Sequence, residues 1–305
     1  MTAQSTARPA RSARSARRSG GRPRWLPGLL MVPPLLLLGA LVLAVALFVY
    51  RAFAAGSTGE PGVVEALRSG ALDSFYWEAM LRTALLSLGA TVLSCLISLL
   101  VASALVVVDR RAVTAATMAL LFSPLVVSMA VRGYGWLLIL DQPPVARSFE
   151  TAGDLLGFLG VSPALLATVL VLAHAMMPIT AFPLLTRMRE IHRLQVTRAA
   201  RDLGARSASV FWKVTVPLAA PTALRVGGLA FGLAMGAFGI PAIIGRGRVQ
   251  VVSELVYQNL LAVSWPTAFV RLAMLLLVTA VVVTPLFALA KRLGRRAAPR
   301  RERTA

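Results

Sequence analysis

Reactive side chains are few in this sequence, and their scarcity already limits what it can do. There are two histidines, His174 and His192, and one cysteine, Cys95. A single cysteine permits no intramolecular disulfide and makes neither a zinc site nor a redox pair. No H-E-x-x-H occurs, and no G-x-x-x-x-G-K-[ST] loop that would cradle a nucleotide phosphate. Any ATP-driven step must therefore be carried out on another polypeptide. A membrane-embedded enzyme would need clustered His, Asp, Glu or Ser at active-site spacing, and the ionisable residues here are scattered. The expectation is no catalytic residue, no metal and no cofactor in this chain.

The remaining candidates are ionisable residues inside apolar runs, which are costly and so functional candidates by default. His174 lies in Ala173-His174-Ala175, followed by Met176, Met177 and Pro178. No carboxylate shares its run, so a proton relay is hard to build, and the residues favour a packed, hydrogen-bonding histidine over a substrate or gating role. Arg132 lies deep in Val131-Arg132-Gly133-Tyr134-Gly135-Trp136. Arginine at a span centre costs at least about 2.5 kcal/mol on insertion scales. Arg132, Tyr134 and Trp136 are the candidate translocation pathway; contact with a partner helix is the equal alternative for Arg132, and Asp141 is placed to pair with it. Arg82 lies near a span end, from which it can snorkel to the headgroups. An ion-gradient-driven transporter would usually show internal repeats and intramembrane acids; neither is visible.

The elements that position these residues follow from hydropathy. Of the 305 residues, 57% are hydrophobic and 14% charged, against about 25% charged in an ordinary soluble domain. Apolar runs long enough to cross a hydrocarbon core of about 30 Å fall at Leu26–Tyr50, Ala84–Val108, Val113–Leu140, Pro163–Thr186, Leu218–Ile244 and Ala268–Ala290. The fold class expected is an all-α membrane protein with six transmembrane helices. Its domains are a basic, disordered tail over 1–25, a six-helix membrane domain over 26–292 and a second basic tail over 293–305. The first tail resembles a transit peptide in composition, but the run after it is too long for a cleaved signal core.

The net charge of +20 reflects placement on one membrane face rather than a nucleic-acid site, since no basic patch is interleaved with aromatics. Lys and Arg concentrate in both tails, at Arg110–Arg111 and over 187–217, while Glu60, Glu65, Asp73, Glu78, Asp141, Glu150, Asp154 and Glu254 occupy the opposite loops. The positive-inside rule then puts both termini in the cytoplasm; Arg51, Arg246 and Arg248 run against the bias. The first outer loop begins with Gly56, Gly59, Pro61 and Gly62 and becomes amphipathic over Val63–Met80, where Phe75, Tyr76 and Trp77 suit an interfacial helix. Thr83, Ser87, Thr91, Ser94 and Ser98 recur every three or four residues, and Gly228, Gly232 and Gly236 every four. Both patterns predict close helix packing, with the lining of a solvent pore as the alternative.

The most informative stretch is cytoplasmic by this topology. Arg198-Ala199-Ala200-Arg201-Asp202-Leu203-Gly204 is followed, after nine residues, by Val214-Thr215-Val216-Pro217. This predicts two short helices broken at Gly204, which suits the left-handed backbone that ends a helix. Ser207 can cap the second helix, and Pro217 begins the return into the membrane. Val210, Phe211 and Val214 form an apolar face, with Lys213 turned away.

This stretch resembles the Glu-Ala-Ala loop of ABC importer permeases: that tripeptide, three residues, Gly, nine residues, then an aliphatic residue, any residue, an aliphatic residue and Pro. Ala199, Ala200, Gly204 and Pro217 match at that spacing, Val214 and Val216 are conservative, and Arg198 stands where the family has Glu. Residues 131–136 and Phe238-Gly239-Ile240-Pro241-Ala242 look like the spermidine/putrescine-type branch, and the resemblance extends over roughly residues 26–292. The resemblance implies ATPase coupling through Arg198, Ala199, Ala200, Asp202, Gly204 and Pro217. It also implies ABC ATPase partners, a second permease subunit, a periplasmic or lipid-anchored solute-binding protein, and alternating access in the bacterial inner membrane. A polyamine passage would offer carboxylates or aromatic faces; the spans supply Tyr134 and Trp136 but no buried acid. Related branches carry iron, thiamine, phosphonate, sulfate or molybdate.

Overall fold

The computed structural model describes residues 26–54, 62–108 and 110–297. The tail over 1–25, the residues Gly56, Gly59, Glu60 and Pro61, and the chain after 297 lie outside them. The described residues are helical and loop, with thirteen α-helices in chain order. These are α1 Leu26–Ala54, α2 Val63–Leu72, α3 Ser74–Val108, α4 Arg111–Val126, α5 Met129–Leu140, α6 Pro143–Leu156, α7 Pro163–Arg193, α8 Val196–Asp202, α9 Ser207–Val210, α10 Val216–Met235, α11 Gly239–Gly245, α12 Val252–Leu261 and α13 Trp265–Ala297. Five continuous helices are long and apolar enough to cross a membrane: Met31–Ala54, Ser74–Val108, Pro163–Arg193, Ser207–Met235 and Trp265–Arg295.

The sixth span is not a continuous helix. The expected Val113–Leu140 run divides into α4 and α5, bent by 111°. Pro124 lies in the last turn of α4 and cannot donate a backbone hydrogen bond. Ser128 then restarts the chain, its hydroxyl accepting the Val131 N–H. The fifth run is also divided: α10 stops at Met235, and α11 begins after Gly236.

The Val63–Met80 amphipathic helix likewise breaks, at Asp73. The side chain of Asp73 accepts the Phe75 N–H at 3.0 Å, and a new helix, α3, starts at Ser74. Phe75, Tyr76 and Trp77 therefore form the first turn of a span. Tyr76 is fully buried rather than interfacial; its hydroxyl donates to the Arg271 carbonyl of α13 at 3.3 Å.

The core runs along α3, α7 and α10. At one end, Leu86 and Ala90 of α3 meet Val171, Leu172 and Ala173 of α7, with Ala234, Ile240 and Ile244 from α10 and α11. At the other, Ala102 and Leu105 meet Leu184, Leu185, Met188, Ile191, Ala219 and Val226. Thr83, Ser87, Thr91, Ser94 and Ser98 are all buried on α3, which identifies the hydroxyl stripe as a packing seam. Thr180 of α7 bridges it, 2.9 Å from Ser94 and 2.7 Å from Ser98. On α10, a Cβ at Gly228 would come within 3.1 Å of the Phe287 ring, and one at Gly232 within 3.8 Å of Thr279. Glycine at Gly228 lets α13 approach closely, Gly232 would accept a Cβ at ordinary contact distance, and at Gly236 no other helix lies within 4 Å of a Cβ.

Candidate functional site

At one end of the bundle, residues 194–215 join α7 to α10. Gln195 turns the chain in the left-handed region, with φ of 55°, and α8 follows. Gly204 has φ of 85°. Its N–H donates to Arg201 O at 2.8 Å, and the Ala205 N–H donates to Ala200 O at 3.1 Å. That pair of bonds satisfies the carbonyls left bare at the end of α8. No atom lies within 4 Å of where a Gly204 Cβ would sit, so the demand for glycine there is conformational.

The second helix differs from expectation at both ends. Arg206 is the flanking residue and no side chain caps the helix, because Ser207 already lies inside the first turn. Pro217 does not start a separate helix either. Residues Phe211–Thr215 form a π-helical turn, in which the Val216 N–H reaches back five residues to Phe211 O. Proline in an α-helix clashes with the carbonyl four residues earlier, here Lys213, and the wider turn accommodates it. The helix consequently runs unbroken from Ser207 to Met235. The second half of the segment and a candidate membrane span are therefore one helix.

The base of this segment is anchored. Arg187 of α7 donates from Nε and Nη2 to the Leu218 carbonyl at 3.0 and 2.9 Å, while its Nη1 pairs with Glu190 at 2.6 Å. Val210 and Thr215 are buried, and a cavity of about 90 Å³ remains among Val106, Met188, Ile191, Val210, Phe211 and Thr215. The opposite face is open. Arg198, Ala199, Asp202, Gly204, Lys213 and Pro217 are exposed, and Ala200 is half-buried. Leu203 is 88% and Trp212 65% exposed. Sequence reasoning missed these two large apolar side chains. The signal was there for Trp212: next to the inward Phe211, it turns about 100° around the helix to the other side.

Arg132, Tyr134 and Trp136 do not converge. Arg132 donates from Nη1 to the Pro124 carbonyl at 2.5 Å, closing the bare C-terminal end of α4. Asp141 does not pair with it. Asp141 instead meets Arg246, just past the end of α11, at 2.6 Å, a partner 105 residues away. Trp136 turns inward and donates from Nε1 to His174 Nδ1 at 3.3 Å, which makes His174 a packed, hydrogen-bonded residue. Only Tyr134 faces outward, 64% exposed. Arg82 pairs with Glu78 at 2.6 Å.

The two segments 131–136 and 238–242 do come together. A Cβ at Gly133 would approach Ile243 Cδ1 to 3.0 Å, and one at Gly239 would approach Met129 Sδ to 2.8 Å. Each glycine thus makes room for a side chain of the other helix. Nearby, Ser253 of α12 donates to Ala237 O at 2.7 Å. Glu254 is half-buried with Oε2 unpartnered, and burial raises its carboxyl above the ordinary value. Sequence reasoning placed Glu254 only as one loop acid among several.

Among the described residues, no group of three or more His, Cys, Asp or Glu could hold a metal ion. Residues 112–299, well over half the chain, match the family model described as binding-protein-dependent transport system inner membrane component. The match begins at α4 and includes the 194–215 segment and both glycine-bearing segments. Members are multi-pass inner-membrane permease components of ABC importers, without a catalytic domain or cofactor; a partner ATPase binds ATP and a binding protein delivers the solute. The chain belongs to this family and is the permease component of an ABC importer for a solute brought by a binding protein.

Proposed function

We propose that residues 194–215 are the docking lever for the ATPase, with Arg198, Ala199, Ala200, Asp202 and Gly204 forming or shaping the contact and Pro217 marking its junction with the membrane. One observation carries the reading: the second half of the lever and α10 are one helix, Ser207–Met235. Closing of the ATPases on ATP would move the exposed face around Leu203 and Trp212, and α10 would move with it. The contact must differ in strength between the two states for this to shift the permease. A test is to purify the intact permease with its ATPase after Gly204→Glu: the variant should insert normally yet lose uptake and ATPase retention. Unchanged uptake would contradict the lever.

In this reading both termini are cytoplasmic, and a second permease subunit completes the pathway. Tyr134 faces that pathway, while Arg132 and Trp136 hold α5 in place. The spermidine/putrescine-type branch is proposed on the likeness of residues 131–136 and 238–242 alone. A polyamine is accordingly the first solute to test, by calorimetry on the solute-binding protein that serves this permease. Tight binding of iron, thiamine, phosphonate or another small solute instead would move the chain to a related branch.

A further inference from the structure

The outward face of α8 carries opposite charges that the protein leaves unpaired. Arg198 and Asp202 lie four residues apart, on one side of the helix, and both are exposed. Among the described residues neither enters an ion pair, although the similarly spaced Glu78–Arg82 and Arg187–Glu190 close to 2.6 Å. Around them Arg189, Arg193, Arg201, Arg206 and Lys213 are exposed as well. Residues 187–217 hold seven basic and two acidic residues, a net +5. The exposed Leu203 directly follows Asp202.

We propose that the partner surface seated here is acidic: an ATPase docking groove that sets a carboxylate opposite Arg198 and an apolar notch around Leu203. This rests on the docking reading above and adds the sign of the partner's charge, which Arg198 reverses relative to the Glu of the family pattern. An anionic bilayer surface would also attract the arginines. It would repel the exposed Asp202 at the end of α8, whereas a protein groove can meet both signs. Complementary charge of this kind sets partner choice and association rate, and like charges brought together are strongly disfavoured.

The test measures retention of the ATPase by the full-length permease in zwitterionic detergent and in anionic nanodiscs. Arg198→Glu should lower retention at least about tenfold in both media, and the wild-type complex should weaken between about 0.15 and 0.5 M salt. A reciprocal acid-to-Arg change in the ATPase groove should restore the Arg198→Glu variant. If Leu203→Asp abolishes retention while Arg198→Glu leaves it unchanged or raises it, the acidic groove is wrong and the docking reading stands. If neither change matters, the docking reading itself falls. A loss confined to anionic nanodiscs would assign the charge to lipid and overturn the proposal.

Discussion

The guanidinium of Arg187 forks onto the carbonyl of Leu218, joining the last turns of α7 to the first turn of α10 through two hydrogen bonds of 3.0 and 2.9 Å. The bonds span 31 residues and close the neck of the 194–215 segment. Beyond the neck the second helix continues into α10, so the proposed lever and that span share one helix, Ser207–Met235. In the proposed lever, the neck is thus held by a side chain outside the Glu-Ala-Ala pattern.

Arg187→Leu should keep the apolar packing but leave the Leu218 carbonyl and Glu190 without their partner. Hydrogen bonds to a charged group contribute about 1.5–3 kcal/mol, so thermal stability in detergent should fall. Uptake should fall further than ATPase retention, because the contact face is untouched. Loss of retention equal to the loss of uptake would show that Arg187 shapes the face itself.

Gly204 allows a graded test. Its left-handed backbone costs an ordinary L-residue about 1–2 kcal/mol, while asparagine tolerates that region better. Since a Cβ meets open space, Gly204→Asn should retain most uptake and Gly204→Val should lose most of it. Equal uptake by the two would mean that the helix end does not need this conformation.

On α10, Gly228→Leu must displace Phe287, which even a Cβ would approach to 3.1 Å. Overpacking of this kind typically costs about 1–3 kcal/mol. Gly236→Ala, with only Leu233 O within 4 Å, should be near neutral. Thermal unfolding of both purified variants checks the pair; similar losses would contradict the α10–α13 close approach.

Glu254 predicts a pH dependence. Burial holds its carboxyl above the ordinary value, so on raising the pH the unfolded chain releases this proton first. The folded protein then loses stability from the ordinary carboxylate range upward, until the raised value is passed. Glu254→Gln should therefore raise the melting temperature at about pH 7 and have little effect near about pH 4. An equal effect at both pH values would mean that ionisation is not the cause.

Much of this architecture was legible in the sequence because it depends on local physics. The long apolar runs showed α1, α7 and α13 directly, although α7 continues past Thr186 to Arg193 on charged residues that hydropathy discards. Gly204 could be read because the left-handed helix end is a property of a few residues. The hydroxyl stripe on α3 was legible for the same reason: spacing alone puts Thr83, Ser87, Thr91, Ser94 and Ser98 on one face.

What the sequence hid was either a break inside apolar surroundings or a partner far along the chain. Hydropathy averages across Pro124 and Ser128, so the bend between α4 and α5 left no trace in it. Arg132 looked like a pathway residue because an intramembrane charge suggests function, whereas its immediate use is to cap that break. The Asp141–Arg246 pair joins residues 105 apart, and no spacing rule connects them. Tyr76 read as interfacial because its neighbours are aromatic; its burial depends on Arg271 of α13, which local reasoning could not bring beside it.

The central claim is that the Leu203 side of this segment touches the ATPase. Its most direct test places a single cysteine at Leu203 in a Cys95→Ser background and crosslinks the intact transporter in inside-out vesicles, with a cysteine at Val64 as control. A permease–ATPase product from position 203 and none from position 64 is the predicted result. No product from 203, or labelling of that cysteine from outside intact cells, would contradict it.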